Sequence, residues 1–168
     1  MRSPLFDARQ VRRAFSRSAA SYDAAAQLQH AVEARLLESL DYLDDPALKR
    51  ESPQRVLDLG CGTGRASIAM QKRWPKAHVV SFDLALPMLQ QARAASKRSR
   101  AWLSNPFARV PHAVCADARA LPLAESSVDV LFSNLCVQWV EDLDGLFAGF
   151  RRVLKPHGLL LVSTFGPE

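Results

Sequence analysis

The residues best suited to chemistry lie in the run Val56-Leu57-Asp58-Leu59-Gly60-Cys61-Gly62-Thr63-Gly64. A short apolar strand delivers glycines at alternate positions. Gly60, Gly62 and Gly64 can adopt positive φ and let a ligand approach the backbone closely. A helix starting just after them would aim its free N–H groups at the same place. Alone, such a turn reads as a nucleotide site or as a plain tight turn. Three acids narrow the choice. Asp58 precedes the turn, where a carboxylate repels a pyrophosphate and suits an ammonium or sulfonium; it could equally cap the turn. Asp83 ends the next apolar run, where an acid can accept both ribose hydroxyls of an adenosine. Asp117 follows the third run, where it can accept an adenine amino group. Each acid alone reads as loop solvation or a helix cap. Three of them at the carboxyl ends of successive strands read as one site, at the edge where open parallel sheets bind ligands. The spacing is GxGxG, with Arg65 next, and not the GxGxxG of dinucleotide sites.

Other reactive groups suggest little. His30, His78, His112 and His157 are scattered and offer no metal-ligand spacing, so no metal is expected. Cys61, Cys115 and Cys136 are odd in number and form no CxxC pair. They read as free thiols of a reducing, cytoplasmic compartment. There is no Ser-His-Asp arrangement.

The elements that must position the glycine turn follow from apolar periodicity. The spacing predicts a short amphipathic helix over Gln10 to Ser18, with Val11, Ala14 and Phe15 inward. A second helix, capped by Ser21, runs to about Leu40 with Leu28, Val32, Leu36 and Leu40 on one face. Residues 44–54 read as a polar linker. Strands are expected at 56–59, 78–82, 112–115, 128–133 and 159–164. Helices are expected at 65–74, from about Pro87, and at 142–154, where Leu143, Leu146, Phe147, Phe150, Val153 and Leu154 form one stripe. Residues 97–111 read as a basic loop, and Lys155-Pro156-His157-Gly158 as a helix stop. Alternating strands and helices imply an α/β fold with a parallel sheet and right-handed crossovers.

Composition agrees with a globular chain: 168 residues, 48% hydrophobic and 23% charged, with a net charge of +5. This excludes disorder as the main state, and no run is apolar enough to span a membrane. The basic surplus is uneven. Residues 1–17 hold Arg2, Arg9, Arg12, Arg13 and Arg17 against Asp7 alone, and no acid lies between Leu84 and Ala116. Such surface attracts acidic partners by steering, or is simply solvated. No nucleic-acid motif accompanies it.

Over roughly residues 55–165 these motifs resemble the class I S-adenosylmethionine-dependent methyltransferases, with a Rossmann-like doubly wound sheet. The Val56–Gly64 run resembles their first motif. Ser127 to Asn134 resembles their fourth strand, and Leu154-Lys155-Pro156-His157-Gly158 their LKPGG run, with His157 for a glycine. The flanks are more specific. Phe15 to Asp23 followed by Leu28-Gln29, then Ser133 to Trp139, then Ser163 to Glu168 are similar to the malonyl-acyl-carrier-protein O-methyltransferases of biotin synthesis.

The resemblance implies S-adenosyl-L-methionine as cofactor, contacted by Asp58, Gly60, Gly62, Gly64, Asp83, Leu84, Asp117, Ala118 and Asn134. Asp83 would hold the ribose, Asp117 the adenine, and Asn134 the methionine part. It implies an acidic acyl carrier protein bearing a malonyl thioester as partner, with no nucleic acid and no membrane. Residues 1–43 would be a helical lid, 44–54 a linker and 55–168 the cofactor-binding unit. Phe15 and Tyr22 would face the pocket, with the Tyr22 hydroxyl as the catalytic group positioning the acceptor carboxylate. Gln138 and Trp139 would line the acceptor channel. Ordinary packing explains Phe15, Tyr22 and Trp139 as well. The family sheet has seven strands and only five are legible here, so a carboxyl-terminal antiparallel hairpin is expected to be missing. A quinone or organic-acid methyltransferase, a protein-arginine hydroxylase relative from complex I assembly, and a non-catalytic cofactor module remain open.

Overall fold

The computed structural model describes residues 7–45, 47, 51–101 and 109–166, the side chains of residues 100 and 101 excepted. Arg2, Pro106, the matched Pro167-Glu168 and linker residues 46 and 48–50 lie outside them.

Five parallel strands form one sheet: β1 (Arg55–Leu59), β2 (His78–Asp83), β3 (His112–Cys115), β4 (Val128–Asn134) and β5 (Leu154–Ser163). Their spatial order is β3-β2-β1-β4-β5. β1 therefore lies between β2 and β4, and the chain reverses direction of travel across the sheet beside it. Such a switch point opens a crevice at the carboxyl ends of the strands. The order is that of the doubly wound sheet expected.

Period-two alternation divides the core into two layers. On one face Val56, Val79, Val130 and Phe132 meet Ala66 and Met70 of helix α4 (Arg65–Arg73) and Trp74 just after it. On the other, Leu57, Phe82 and Leu131 meet Leu146, Phe150 and Val153 of helix α6 (Leu143–Val153). Both faces are covered, which explains near-continuous apolar runs such as Val130-Leu131-Phe132. Phe82, Phe132 and Phe150 are among the largest fully buried side chains. Each contributes about 1.5–3 kcal/mol of burial.

Helix boundaries follow local chemistry where caps exist. Asp7 accepts from Arg9 N at 2.8 Å to open α1 (Ala8–Ser18), and Asp142 accepts from Gly145 N at 2.9 Å to open α6. Helix α5 (Leu86–Ala101) carries Pro87 in its first turn. It runs on through Lys97 and Arg98, which the sequence assigns to a loop. Nothing breaks it there: the next proline is Pro106, and Lys, Arg and Ala are good helix formers.

Four other expectations need correction. The single helix from Ser21 to Leu40 is two helices, α2 (Tyr22–Ala25) and α3 (Gln27–Glu38), followed by a 3-10 turn at Ser39–Asp44. The break at Ala26, φ −92° and ψ 34°, lies in an alanine run with no local signal; tertiary packing, which buries Ala26, outweighs helix propensity. Ser21 precedes α2 but its side chain accepts no capping bond; its hydroxyl donates to Ser18 O at 3.3 Å. Leu28 and Ala14 are exposed rather than inward. The expected stop at Lys155–Gly158 is a loop-out inside β5. Val128 pairs with Leu154 but Val130 with Leu159, and His157 takes φ 64°.

Candidate functional site

A cleft of about 570 Å³ opens at the carboxyl edge of β1, β2 and β4, beneath α1 and α2. Its volume is typical of small-ligand sites. The glycine turn forms its floor. Gly60, Gly62 and Gly64 have φ of 72°, 52° and 83°. Gly60 and Gly62 line the cleft, whereas Gly64 sits behind it as the first residue before α4. Gly60 N and Cys61 N both donate to Phe82 O, at 2.8 and 3.0 Å, which ties the turn to β2.

Asp83 closes one wall. Its Oδ2 accepts from Gly62 N at 3.0 Å and its Oδ1 from Ala85 N at 2.8 Å, so one carboxylate braces the glycine turn and the entry to α5. Burial raises its pKa, and those backbone N–H groups oppose the rise. Each oxygen keeps acceptor capacity toward the cleft. Leu84, Asp117 and Ala118 continue the wall. Asp117 is gripped by Arg119, whose Nε lies 3.0 and 3.1 Å from the two oxygens and whose Nη2 lies 2.6 Å from Oδ2. That grip, above all, lowers the Asp117 pKa. In the sequence Arg119 has no signal beyond its position two residues after Asp117.

The opposite wall is aromatic. Phe15 meets Trp139 edge-on, with ring centroids 5.6 Å apart, and Tyr22 lies 6.3 Å from Phe15. All three line the cleft. Burial first, and the Asp83 charge second, raise the Tyr22 pKa. The phenol therefore stays protonated at neutral pH and available as a donor.

Two side chains assigned to the ligand are engaged elsewhere. Asn134 lines the cleft, but its Nδ2 donates to Gln29 O at 3.1 Å and its Oδ1 accepts from Ser163 Oγ at 2.7 Å. It joins α3 to the ends of β4 and β5. Gln138 is off the lining; its Nε2 donates to Leu135 O at 2.8 Å. A parallel tie joins α2 to the glycine turn: Thr63 Oγ1 donates to Asp23 Oδ1 at 2.7 Å, and His30 Nε2 lies 3.5 Å from that same oxygen. The aspartate and Gln29 are too far in sequence from their partners for local spacing to reveal these ties.

Asp58 is also off the lining. It is buried beneath the turn, where Ser67 Oγ donates to its Oδ2 and Ser81 Oγ donates to Ser67 Oγ at 2.7 Å. Desolvation pushes its pKa up to about 7, and the Ser67 hydrogen bond only partly opposes this. The folded chain thus holds a proton that the unfolded chain has lost above the ordinary carboxylate value. Stability from this group is greatest at low pH and is lost between about pH 4 and about 7, with no further loss above. Urea unfolding is expected to show it. The stability advantage of wild type over Asp58→Asn falls across that window and then levels off.

The thiols of Cys136, which lines the cleft, and of Cys61, buried in the glycine turn, are not poised to react. Burial pushes Cys136 up to about 12 and Cys61 well above its ordinary value. Among the described residues no group of His, Cys, Asp and Glu could hold a metal ion. No helix among them is long and apolar enough to cross a membrane.

Comparison with known proteins agrees with this geometry. The chain is 60% identical over 164 residues to malonyl-[acyl-carrier protein] O-methyltransferase of Xylella fastidiosa, covering 98% of this chain and 51% of that one. It is 49% identical to the Methylovorus protein of the same name, over 98% and 52%. The chain therefore spans about half the length of the curated relatives it matches. Among solved structures, a Methanococcus maripaludis protein superposes with a TM-score of 0.70 at 18% identity, over 89% of this chain and 63% of that one. An S-adenosylmethionine-dependent methyltransferase from Mesorhizobium loti gives 0.56 at 32% identity, over 71% and 52%. Residues 57–162, from the middle of β1 almost to the end of β5, match the family model described as a methyltransferase domain. The glycine turn, the acid-ended strands and that match together place the chain in the methyltransferase domain family.

Proposed function

We propose that the chain binds S-adenosyl-L-methionine in this cleft and serves methylation of the free carboxylate of a malonyl thioester on an acyl carrier protein. The observation that carries the reading is one cleft with an acidic, glycine-floored wall facing an aromatic wall. The chain's identity with the Xylella fastidiosa protein points to the same acceptor.

The residues fit the cofactor. Asp83 has free acceptor capacity for two ribose hydroxyls. Gly62 leaves open space, since a Cβ there would meet only Tyr22 Cε1, at 3.9 Å. Asp117 and Ala118 border the adenine end, and Asp117 serves it only as far as Arg119 shares its oxygens. Asp58 acts from below the turn, by ordering Ser67 and α4. When bound, the cofactor supplies an activated methyl group on a sulfonium.

The acceptor needs no general base, because a carboxylic acid is already ionised near pH 7. The chain's task is alignment and exclusion of water. Tyr22 donates its hydroxyl toward the acceptor carboxylate, while Phe15 and Trp139 shield it. Asn134 contributes by fastening α3, and Gln138 by shaping the turn that carries Trp139. On this reading residues 1–43 are a lid, 44–54 a linker and 55–168 the cofactor-binding unit. The setting is cytoplasmic and reducing, in keeping with three free thiols.

The basic surplus gains a place. Helices α1 and α5 pack together, which brings two basic stretches to neighbouring elements: Arg12, Arg13 and Arg17 on α1 and Arg93, Lys97 and Arg98 on α5 are all exposed. An acidic carrier protein would be steered there. Replacing Arg93, Lys97 and Arg98 together by glutamate is expected to raise the KM for malonyl carrier protein about tenfold or more. The affinity for S-adenosylmethionine stays unchanged in a direct binding measurement. The reading itself is tested by incubation with methyl-labelled S-adenosylmethionine and malonyl carrier protein. Base-labile label on the carrier supports it. Cofactor binding with label going instead to a quinone or free organic acid would replace the acceptor, and binding with no transfer would reduce the chain to a cofactor module.

A further inference from the structure

At the opposite edge of the sheet, three adjacent strands each begin with a basic residue on one face. Alternation puts Arg55 with Leu57, His78 with Val80, and His112 with Val114. The register sets Arg55 beside His78 and Val80 beside His112. The two imidazoles stack with centroids 6.0 Å apart and planes 17° from parallel. Arg109, just before β3, brings Nη1 to 3.3 Å from His78 Nδ1. Arginine only donates, so in the neutral ring Nδ1 accepts there and Nε2 carries the proton.

Behind this row lies a hollow of about 330 Å³, bordered by Leu57, Val80, Leu123 and Val128. That is near the lower end of small-ligand pockets, about 300–1,000 Å³. It is separate from the cleft at the carboxyl edge. The carboxylate bonded to this edge, Asp129, already accepts from Gln54 N, Arg55 N and Lys155 Nζ. Among the described residues no carboxylate forms an ion pair with Arg55, His78, Arg109 or His112. The positive charge of Arg109 foremost, then desolvation, His112 and Arg55, holds the His78 pKa below its ordinary value. Arg55, His78 and His112 thus border an apolar hollow, with Arg109 held against His78, an arrangement of like-signed or protonatable groups that an anion relieves.

We propose that the amino-terminal edge of β1, β2 and β3 binds a small organic anion, its carboxylate or phosphate head among Arg55, His78, Arg109 and His112 and its apolar body in the hollow behind them. The apolar floor and small volume favour a compact amphipathic ligand over a polymer. Charge complementarity selects the head, and the hollow selects the body.

Histidine ring C–H signals followed by NMR test this on the intact chain, with hexanoate as probe and inorganic phosphate and hexanol as its two halves. Hexanoate is expected to shift the His78 and His112 signals saturably and to raise the His78 titration midpoint by about one pH unit or more. Phosphate and hexanol bind at least about tenfold more weakly, each lacking one part of the match. Arg55→Gln and Arg109→Gln, both at solvent-facing positions, each weaken hexanoate about tenfold with an unchanged melting temperature. Asp83→Asn, at the other edge, leaves hexanoate binding intact. The proposal is overturned if hexanoate gives no saturable shift, if His157 moves equally, if hexanol matches hexanoate, or if the two arginine variants bind as wild type does. Tight phosphate binding without a gain from the hexyl chain would overturn the part assigned to the hollow.

Discussion

Gly64→Ala is expected to destabilise the chain by about 2–5 kcal/mol, while Gly62→Ala, two residues away, costs only about 1–2 kcal/mol. Both glycines have positive φ, so both alanines pay the left-handed backbone strain. Their surroundings differ. A Cβ on Gly64 would sit 2.7 Å from Ala92 Cβ and 3.1 Å from Ala92 Cα, which forces α5 away from α4. A Cβ on Gly62 meets nothing closer than 3.9 Å. Gly60 resembles Gly64, because its Cβ would lie 2.5 Å from Cys136 Sγ and 2.6 Å from its Cβ. Urea unfolding of the three variants checks the order. Equal losses at Gly62 and Gly64 would show that strain alone, and not helix contact, fixes these residues. Gly62→Ala adds a second contrast. It intrudes on the cleft floor, so it is expected to weaken cofactor binding out of proportion to its small stability cost.

Asp83→Asn is expected to weaken S-adenosylmethionine binding about a hundredfold or more, since it removes charge-assisted acceptors worth about 1.5–3 kcal/mol each. The cost has two sources. The carboxylate accepts from Gly62 N and Ala85 N, one on each oxygen. An amide presents one acceptor and one donor, so a backbone N–H is left facing an NH2 group. The turn that shapes the cleft loosens as the ligand's own partner is lost. Asp129→Asn is the matched control, for Asp129 also braces backbone, at Gln54 and Arg55, but at the other end of the sheet. It is expected to lower stability by about 1–3 kcal/mol and leave ligand affinity unchanged. Calorimetric titration of the two variants, with melting curves alongside, separates bracing from binding.

Legibility in the sequence followed the range of the interaction. The glycine turn was readable because positive φ and close approach each demand glycine within a few residues. Asp83 and Asp117 were readable because parallel sheets deliver successive strand ends to one edge. Asp58 shows the limit of that inference: it stands in the same pattern, yet its side chain turns under the turn to Ser67 and Ser81. Position in a strand does not fix which way a carboxylate at its end faces. The part played by Asn134 depends on Gln29, 105 residues away, and on Ser163. Neither contact has a local signature. The break at Ala26 was hidden for the same reason, since its cause lies in packing against elements distant in sequence. Lys97 and Arg98 misled in the opposite direction. Their charge suggested a loop, but backbone propensity decides helix continuation, and neither residue opposes it.

The basic face likewise emerges only from folding. Two stretches separated in sequence by α2, α3, β1, α4 and β2 are joined because α1 packs on α5, and Arg9, at the start of α1, reaches the cleft lining.

The most direct measurement is isothermal titration of the chain with S-adenosyl-L-methionine, run beside NADH. Saturable binding at one site per chain is expected, lost in Asp83→Asn, retained in Asp129→Asn, and absent for NADH. Binding of NADH with no response to S-adenosylmethionine, or S-adenosylmethionine binding that Asp83→Asn leaves untouched, would contradict the assignment of this cleft.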